Sequence, residues 1–241
     1  MRLIGFSTGA LARADFRLAL FELEQTATNS VELSALRFPE LQPLLESLSS
    51  LHLSRYQYIS LHAPSNFQGN QELEAAALLK QFAPASWPIV IHPDTIQHFE
   101  IWRTFGRQVA IENMDRRKGK GRTANELREF FVQLPEARLC FDVGHARQFD
   151  TTMTEAYRMV RLFGDRLCQL HVSEVNSASQ HDRLSFAAIL AYEQIANLIS
   201  ESIPLIIESR VGTKEIESEL TNAEKAFRVH WVPLSRATQA V

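Results

Sequence analysis

Apolar and polar positions along the 241-residue chain switch repeatedly between two periods. Short stretches with period-two alternation, at residues 3–7, 31–35, 58–62, 89–92, 109–112, 139–142, 167–172 and 205–209, predict strands. Between them the apolar residues recur every three to four positions, as Phe16, Leu20 and Leu23 do, and predict amphipathic helices. These helices fall at 15–24, 39–49, 72–82, 98–105, 123–131, 154–163, 185–199 and 213–227. Pro39 suits a first helical turn, Thr123 a helix cap, and Pro64 and Pro93 each stop a strand. Eight strand–helix units averaging about 30 residues predict one (β/α)₈ TIM barrel over residues 1–241. A doubly wound open sheet has the same alternation, but it would not gather the later strand ends around one centre.

Those strand ends carry the candidate chemistry. His62, His92, Glu112, Asp142, His171 and Glu208 each follow an apolar residue: Leu61, Ile91, Ile111, Phe141, Leu170 and Ile207. Alternation turns the apolar partner outward and all six polar side chains inward, at the mouth where barrel strands end. Buried carboxylates are costly unless something cationic meets them. Imidazoles and carboxylates converging in this way predict a divalent cation such as Zn²⁺ or Mn²⁺, one or two ions. His145 follows Asp142 at i+3 and belongs to the same mouth.

Composition narrows the setting. A 45% hydrophobic, 22% charged chain is globular in type, and no apolar run approaches a membrane span. The N-terminus enters a strand without a signal-peptide pattern, and two cysteines make no disulfide framework, so the expectation is cytoplasmic. By parity Cys140 faces inward and Cys168 outward, which predicts no bridge between them. A net charge of −3 gives no global attraction for nucleic acid, so anion binding must be local.

The motifs S-L-H-A-P, V-I-H-P-D, A-I-E-N-M, F-D-V-G-H-A, Q-L-H-V-S and I-I-E-S resemble the xylose isomerase-like TIM barrel superfamily. The resemblance runs from the first strand to the last and takes in sugar isomerases and epimerases as well as endonuclease IV-type repair enzymes. It implies a principal metal held by Glu112, Asp142, His171 and Glu208. A second ion would be held by His62 and His92, with Glu112 as bridge. In the repair enzymes a third ion uses the histidine of Asp142-x-x-His145 and an Asp-x-His after the seventh strand. Here that stretch reads His181-Asp182-Arg183-Leu184, which implies an incomplete third site. The loop 64–67 also lacks the tyrosine with which repair enzymes probe DNA.

The reaction expected from sequence is isomerisation or epimerisation of a sugar or sugar phosphate, with Glu112, Glu208 and His145 catalytic. Endonuclease IV-like phosphodiester cleavage is the alternative, and a non-catalytic metabolite-binding barrel is a third reading. His181 contacts substrate or completes a metal shell, and Glu32 contacts a substrate hydroxyl or is a buried structural group. Arg116, Arg117 and Lys118 are further candidate substrate contacts, in a basic loop that continues through Lys120 and Arg122 and either closes over a phosphate or is a solvated mobile loop. The partner is then a small sugar or sugar phosphate, with nucleic acid less favoured, no membrane, and homo-oligomers left open. Trp87, Trp102 and Trp231 have packing spacings and suggest no sugar platform.

Overall fold

The computed structural model describes residues 2–228. The expected tail packing at 230–241, and Trp231 with it, lies outside the described residues.

Eight parallel strands close into a barrel in the order β1-β10-β7-β6-β5-β4-β3-β2. They are β1 (Ile4–Ser7), β2 (Ser30–Ser34), β3 (Tyr58–His62), β4 (Ile89–Ile91), β5 (Val109–Glu112), β6 (Arg138–Asp142), β7 (Leu167–Val172) and β10 (Leu205–Ile207). The remaining two, β8 (Glu174–Val175) and β9 (His181–Asp182), pair antiparallel as a small hairpin over the mouth. The helices packed around the barrel include α4 (Gln71–Phe82), α6 (Ala124–Gln133), α8 (Thr154–Phe163), α9 (Phe186–Ala196) and α10 (Ile216–Ala226). Among the described residues, no helix is long and apolar enough to cross a membrane.

Alternation along the strands separates two interiors. Outward-facing Phe6, Leu33, Leu61, Ile111, Phe141, Leu170 and Ile207 are buried beneath the helices in one continuous apolar cluster. The inward faces are markedly polar: Ser30, Glu32, Ser60, Glu112, Asp142, Gln169 and His171 are all buried. β1 and β2 approach so closely that a Cβ on Gly5 would lie 1.7 Å from Ser30 O, so only glycine fits there.

Three local features depart from the sequence reading. A short helix α1 (Thr8–Ala12) follows β1, and α7 (Val143–Phe149) starts directly after Asp142. Neither is long enough to show a period of its own. The long loop expected after the seventh strand contains the β8–β9 hairpin. The third departure corrects the assigned parity of Cys168. Leu139 pairs with Leu167 but Cys140 pairs with Gln169, so Cys168 is an extra residue bulged out of register. It joins Val90, Ala110 and Cys140 in a small apolar cluster. Both cysteines are free.

Candidate metal centre

The site is built from strand ends and held by the groups just outside them. Asp142 closes β6 and caps α7, with one oxygen, Oδ1, accepting from His145 N at 2.6 Å. The other oxygen, Oδ2, is buried without a hydrogen-bond partner. The Asp-x-x-His spacing is thus a helix-cap geometry that frees one carboxylate oxygen and carries His145 into the mouth. Asn113 stitches β5 to β6 beyond the last ladder bond. Its amide accepts from Asp142 N at 2.8 Å and donates to Asp142 O at 2.7 Å. Its own carbonyl accepts from His145 Nδ1 at 2.9 Å, which leaves Nε2 as the unprotonated nitrogen in the neutral ring. Gly144 lets α7 pack down here, because a Cβ would meet Ser173 O at 2.6 Å.

Glu112 lies at the centre. Its Oε2 is 3.2 Å from His62 Nε2 and 3.2 Å from His92 Nε2. Its Oε1 is 3.3 Å from His145 Nδ1 and 3.3 Å from His171 Nδ1. Glu208 Oε2 approaches His171 Nδ1 and His181 Nδ1, each at 3.5 Å. His62 donates Nδ1–H to Ala63 O at 2.7 Å, which aims Nε2 at the carboxylates. Ligand-type atoms lie within 4.8 Å of one another in four sets: His62, His92 and Glu112; Glu112, Asp142, His171 and Glu208; Asp142, His145 and His181; and, deeper in the barrel, Glu32, His62, His171 and Glu208.

Two observations test whether these residues suit divalent ions. Asp142 Oδ2 and His171 Nδ1 are buried with no hydrogen-bond partner. Such atoms are expensive to leave bare and natural to a coordination sphere. The charges also conflict in the absence of a cation. Burial pushes the Glu208 carboxyl up to about 7 and that of Asp142 to about 6. Burial would raise Glu112 too, but the adjacent His171 and His92 hold it well below its usual range. Burial opposes the charged form of His62, yet its bond to Glu112 and the nearby carboxylates carry it to about 9. The donor set fits one or more hard or borderline divalent cations.

The structure moves several candidates. All six strand-end residues converge as alternation predicts. Leu184 is buried core, and His181, read from the sequence as a substrate contact or a metal ligand, lies with Asp142 and His145 in the third set. Its ring is 5.1 Å from that of His145, and Ser173 Oγ pairs with His181 Nδ1 at 2.8 Å. The hairpin register, invisible as a period in so short a segment, places it there. Two positions before it, Ser179 Oγ donates to Asp115 Oδ1 at 3.0 Å.

Glu32 does not reach the mouth as a substrate contact; it is fully buried behind His171. Its Oε2 lies 3.1 Å from His171 Nε2 and accepts from Gln169 at 2.7 Å and Ser60 at 3.0 Å. Of the loop's basic residues, Arg117 and Lys118 line the pocket, with Asp115 beside them. Arg116 is outside it with its backbone N–H bonded to Gln148, and Arg122 pairs with Glu126 at 2.8 Å. Trp102 is packing, fully buried with Nε1 donating to Glu72. Arg210, two residues after Glu208, lines the pocket and was not anticipated; the motif I-I-E-S-R held the only hint. The pocket itself holds about 350 Å³, in the range of small-ligand sites.

No family model and no curated protein matches this sequence. Solved structures do match in shape. Endonuclease IV from Thermus thermophilus superposes with a TM-score of 0.59 at 14% identity, covering 94% of this chain and 98% of that one. A protein from Anabaena variabilis, described as a sugar phosphate isomerase/epimerase, gives 0.55 at 14% identity over 100% and 93%. A Bacillus anthracis protein assigned as a 3-DHS dehydratase of petrobactin synthesis gives 0.56 at 12% over 93% and 97%. At these identities the likeness is one of fold.

Proposed function

We propose that this chain, whose fold is that of the xylose isomerase-like TIM barrels, is a metal-dependent phosphoester hydrolase. The observation that carries the reading is the position of Glu112, with one oxygen turned to His62 and His92 and the other to His145 and His171. A carboxylate divided in this way suits a multi-ion site better than a single ion. The sequence alone favours a sugar isomerase, on the missing third-site histidine, the absence of a broad basic surface, a loop 64–67 without tyrosine and the short chain; the grouping of His181 with Asp142 and His145 supports the hydrolase instead.

In this reading Glu112, Asp142, His171 and Glu208 hold a principal ion, His62 and His92 a second, and Asp142, His145 and His181 a third. Divalent ions there supply Lewis-acid polarisation of a phosphoryl oxygen and activation of a water. The protein's own part is positional. Glu32, itself held by Gln169, fixes the His171 ring, Ala63 O fixes His62, and Asn113 fixes both Asp142 and His145. Glu208 lies at the pocket wall, where a ligating carboxylate would face the bound substrate. The same placement beside a principal ion supports the second reading, proton transfer in a sugar phosphate isomerase.

The deciding experiment uses protein loaded with Zn²⁺ or Mn²⁺, in wild-type and His92→Ala forms. It follows cleavage of bis(p-nitrophenyl) phosphate and of an abasic-site duplex, alongside solvent hydrogen exchange into ketoses and their phosphates. We expect wild-type phosphoester cleavage that His92→Ala removes almost entirely. Exchange into a sugar with no phosphoester cleavage, only partly reduced in His92→Ala, assigns the isomerase instead.

A further inference from the structure

The pocket mouth carries three cationic side chains, and they are not equivalent. Lys118 Nζ lies 2.8 Å from Asp94 Oδ2. The Arg117 guanidinium bonds Asp115, with Nε 3.3 Å from Oδ1, and also donates to Ser179 O at 3.2 Å. Arg210 has no carboxylate partner among the described residues. Its backbone N–H donates to His181 O at 3.2 Å, so its Cα is fixed beside the third cluster while the side chain stays exposed at the rim. Gly9, Ala10, Leu36 and Met114 supply an uncharged side to the same pocket.

We propose that Arg210 is the anion anchor of this site and that the substrate is a small phosphoester with a single phosphate group. This rests on the phosphoester reading above. A planar guanidinium without a counter-charge can grip two oxygens of one phosphate, whereas Arg117 and Lys118 each already have a carboxylate offsetting their charge. A nucleic-acid backbone, with a charge every few ångströms, is met by a row of unpaired basic side chains. Several other cations near this mouth are paired as well: Arg122 with Glu126, Arg147 with Glu174, and Arg183 with Glu215. Arg116 and Lys120, without carboxylate partners among the described residues, lie outside the pocket and form no row with Arg210 along it. The loop after β3 also turns its aromatic residue inward, since Phe67 is buried.

The test compares metal-loaded wild type, Arg210→Gln and Arg210→Lys. Binding of inorganic phosphate is measured by calorimetry, and KM and kcat are measured for bis(p-nitrophenyl) phosphate and for an abasic-site duplex. Arg210→Gln should weaken phosphate binding and raise KM for the diester by about tenfold or more, the scale of a lost charge-assisted pair. Its kcat should change much less, its metal content should be unchanged, and Arg210→Lys should recover part of the loss. Phosphate affinity and KM that do not respond to Arg210→Gln overturn the anchor. Duplex cleavage more efficient than diester cleavage, falling steeply with salt, overturns the small-substrate assignment. If no phosphoester is cleaved by any preparation, the hydrolase reading fails on its own. The calorimetric arm still decides the anchor: a tenfold loss of phosphate binding keeps it, and no loss removes it.

Discussion

Replacing Glu32 by glutamine tests how the barrel interior governs the metal centre. Three groups converge on Glu32 Oε2: Gln169 Nε2 at 2.7 Å, Ser60 Oγ at 3.0 Å and His171 Nε2 at 3.1 Å. Oε1 has no partner. The glutamine amide can therefore put its oxygen in the Oε2 position and keep all three contacts, so what is lost is mainly the charge. Hydrogen bonds to charged groups contribute about 1.5–3 kcal/mol and neutral ones about 0.5–1.5, a difference of about 1–1.5 kcal/mol for the His171 contact. That corresponds to a metal affinity weakened about 5- to 13-fold, at the lower end of what carboxylates behind a ligating histidine usually contribute. Competition against a chelating dye at pH 7 measures it, with the metal count at saturation taken in parallel. The expected result is weaker binding with an unchanged count. Unaltered affinity would refute the argument. Loss of a metal equivalent would do so differently, by making Glu32 a ligand itself, as its place near His62, His171 and Glu208 permits.

Three further outcomes follow from the same geometry. With Glu208 raised to about 7, Asp142 to about 6 and His62 to about 9, the metal-free site holds protons at pH 7 that ligation must displace. His171 is raised well above its usual value too, so calorimetry in buffers of different ionisation enthalpy should find more than one proton released per chain, with affinity rising from pH 5.5 to 8; uptake of protons would contradict this. Gly144→Ala should cost about 1–3 kcal/mol in denaturant unfolding, because the added Cβ meets Ser173 O at 2.6 Å and Val175 Cγ2 at 2.7 Å. Cys140 and Cys168, whose thiols burial raises (Cys168 to about 11), should resist iodoacetamide at pH 8 in the native protein and react after unfolding; mass spectrometry reads the labelling.

Long-period features were legible in the sequence. Strand positions and inward-facing residues followed from alternation alone, and Tyr58–His62 and Thr154–Phe163 coincide with their predicted limits. The features that were not legible depend on register or charge pairing. The bulge at Cys168 inverts parity at one residue without altering composition. The two-residue strand β9 is too short for any period, yet its pairing of His181 with Val175 decides whether the third cluster exists. The basic loop 115–122 read as a single charged patch because its partners, Asp94 and Glu126, lie outside it in sequence.

Asn113 separates two design problems that share one strand. Its side chain imitates a backbone pair with Asp142, so the β5–β6 register persists one residue past the point where the main chain leaves the sheet. The exposed residues Arg116 and Lys120 of the loop that follows take no part in that register. Substitutions there can change the charge at the rim of the pocket while the spacing of Glu112 and Asp142 stays as the amide sets it.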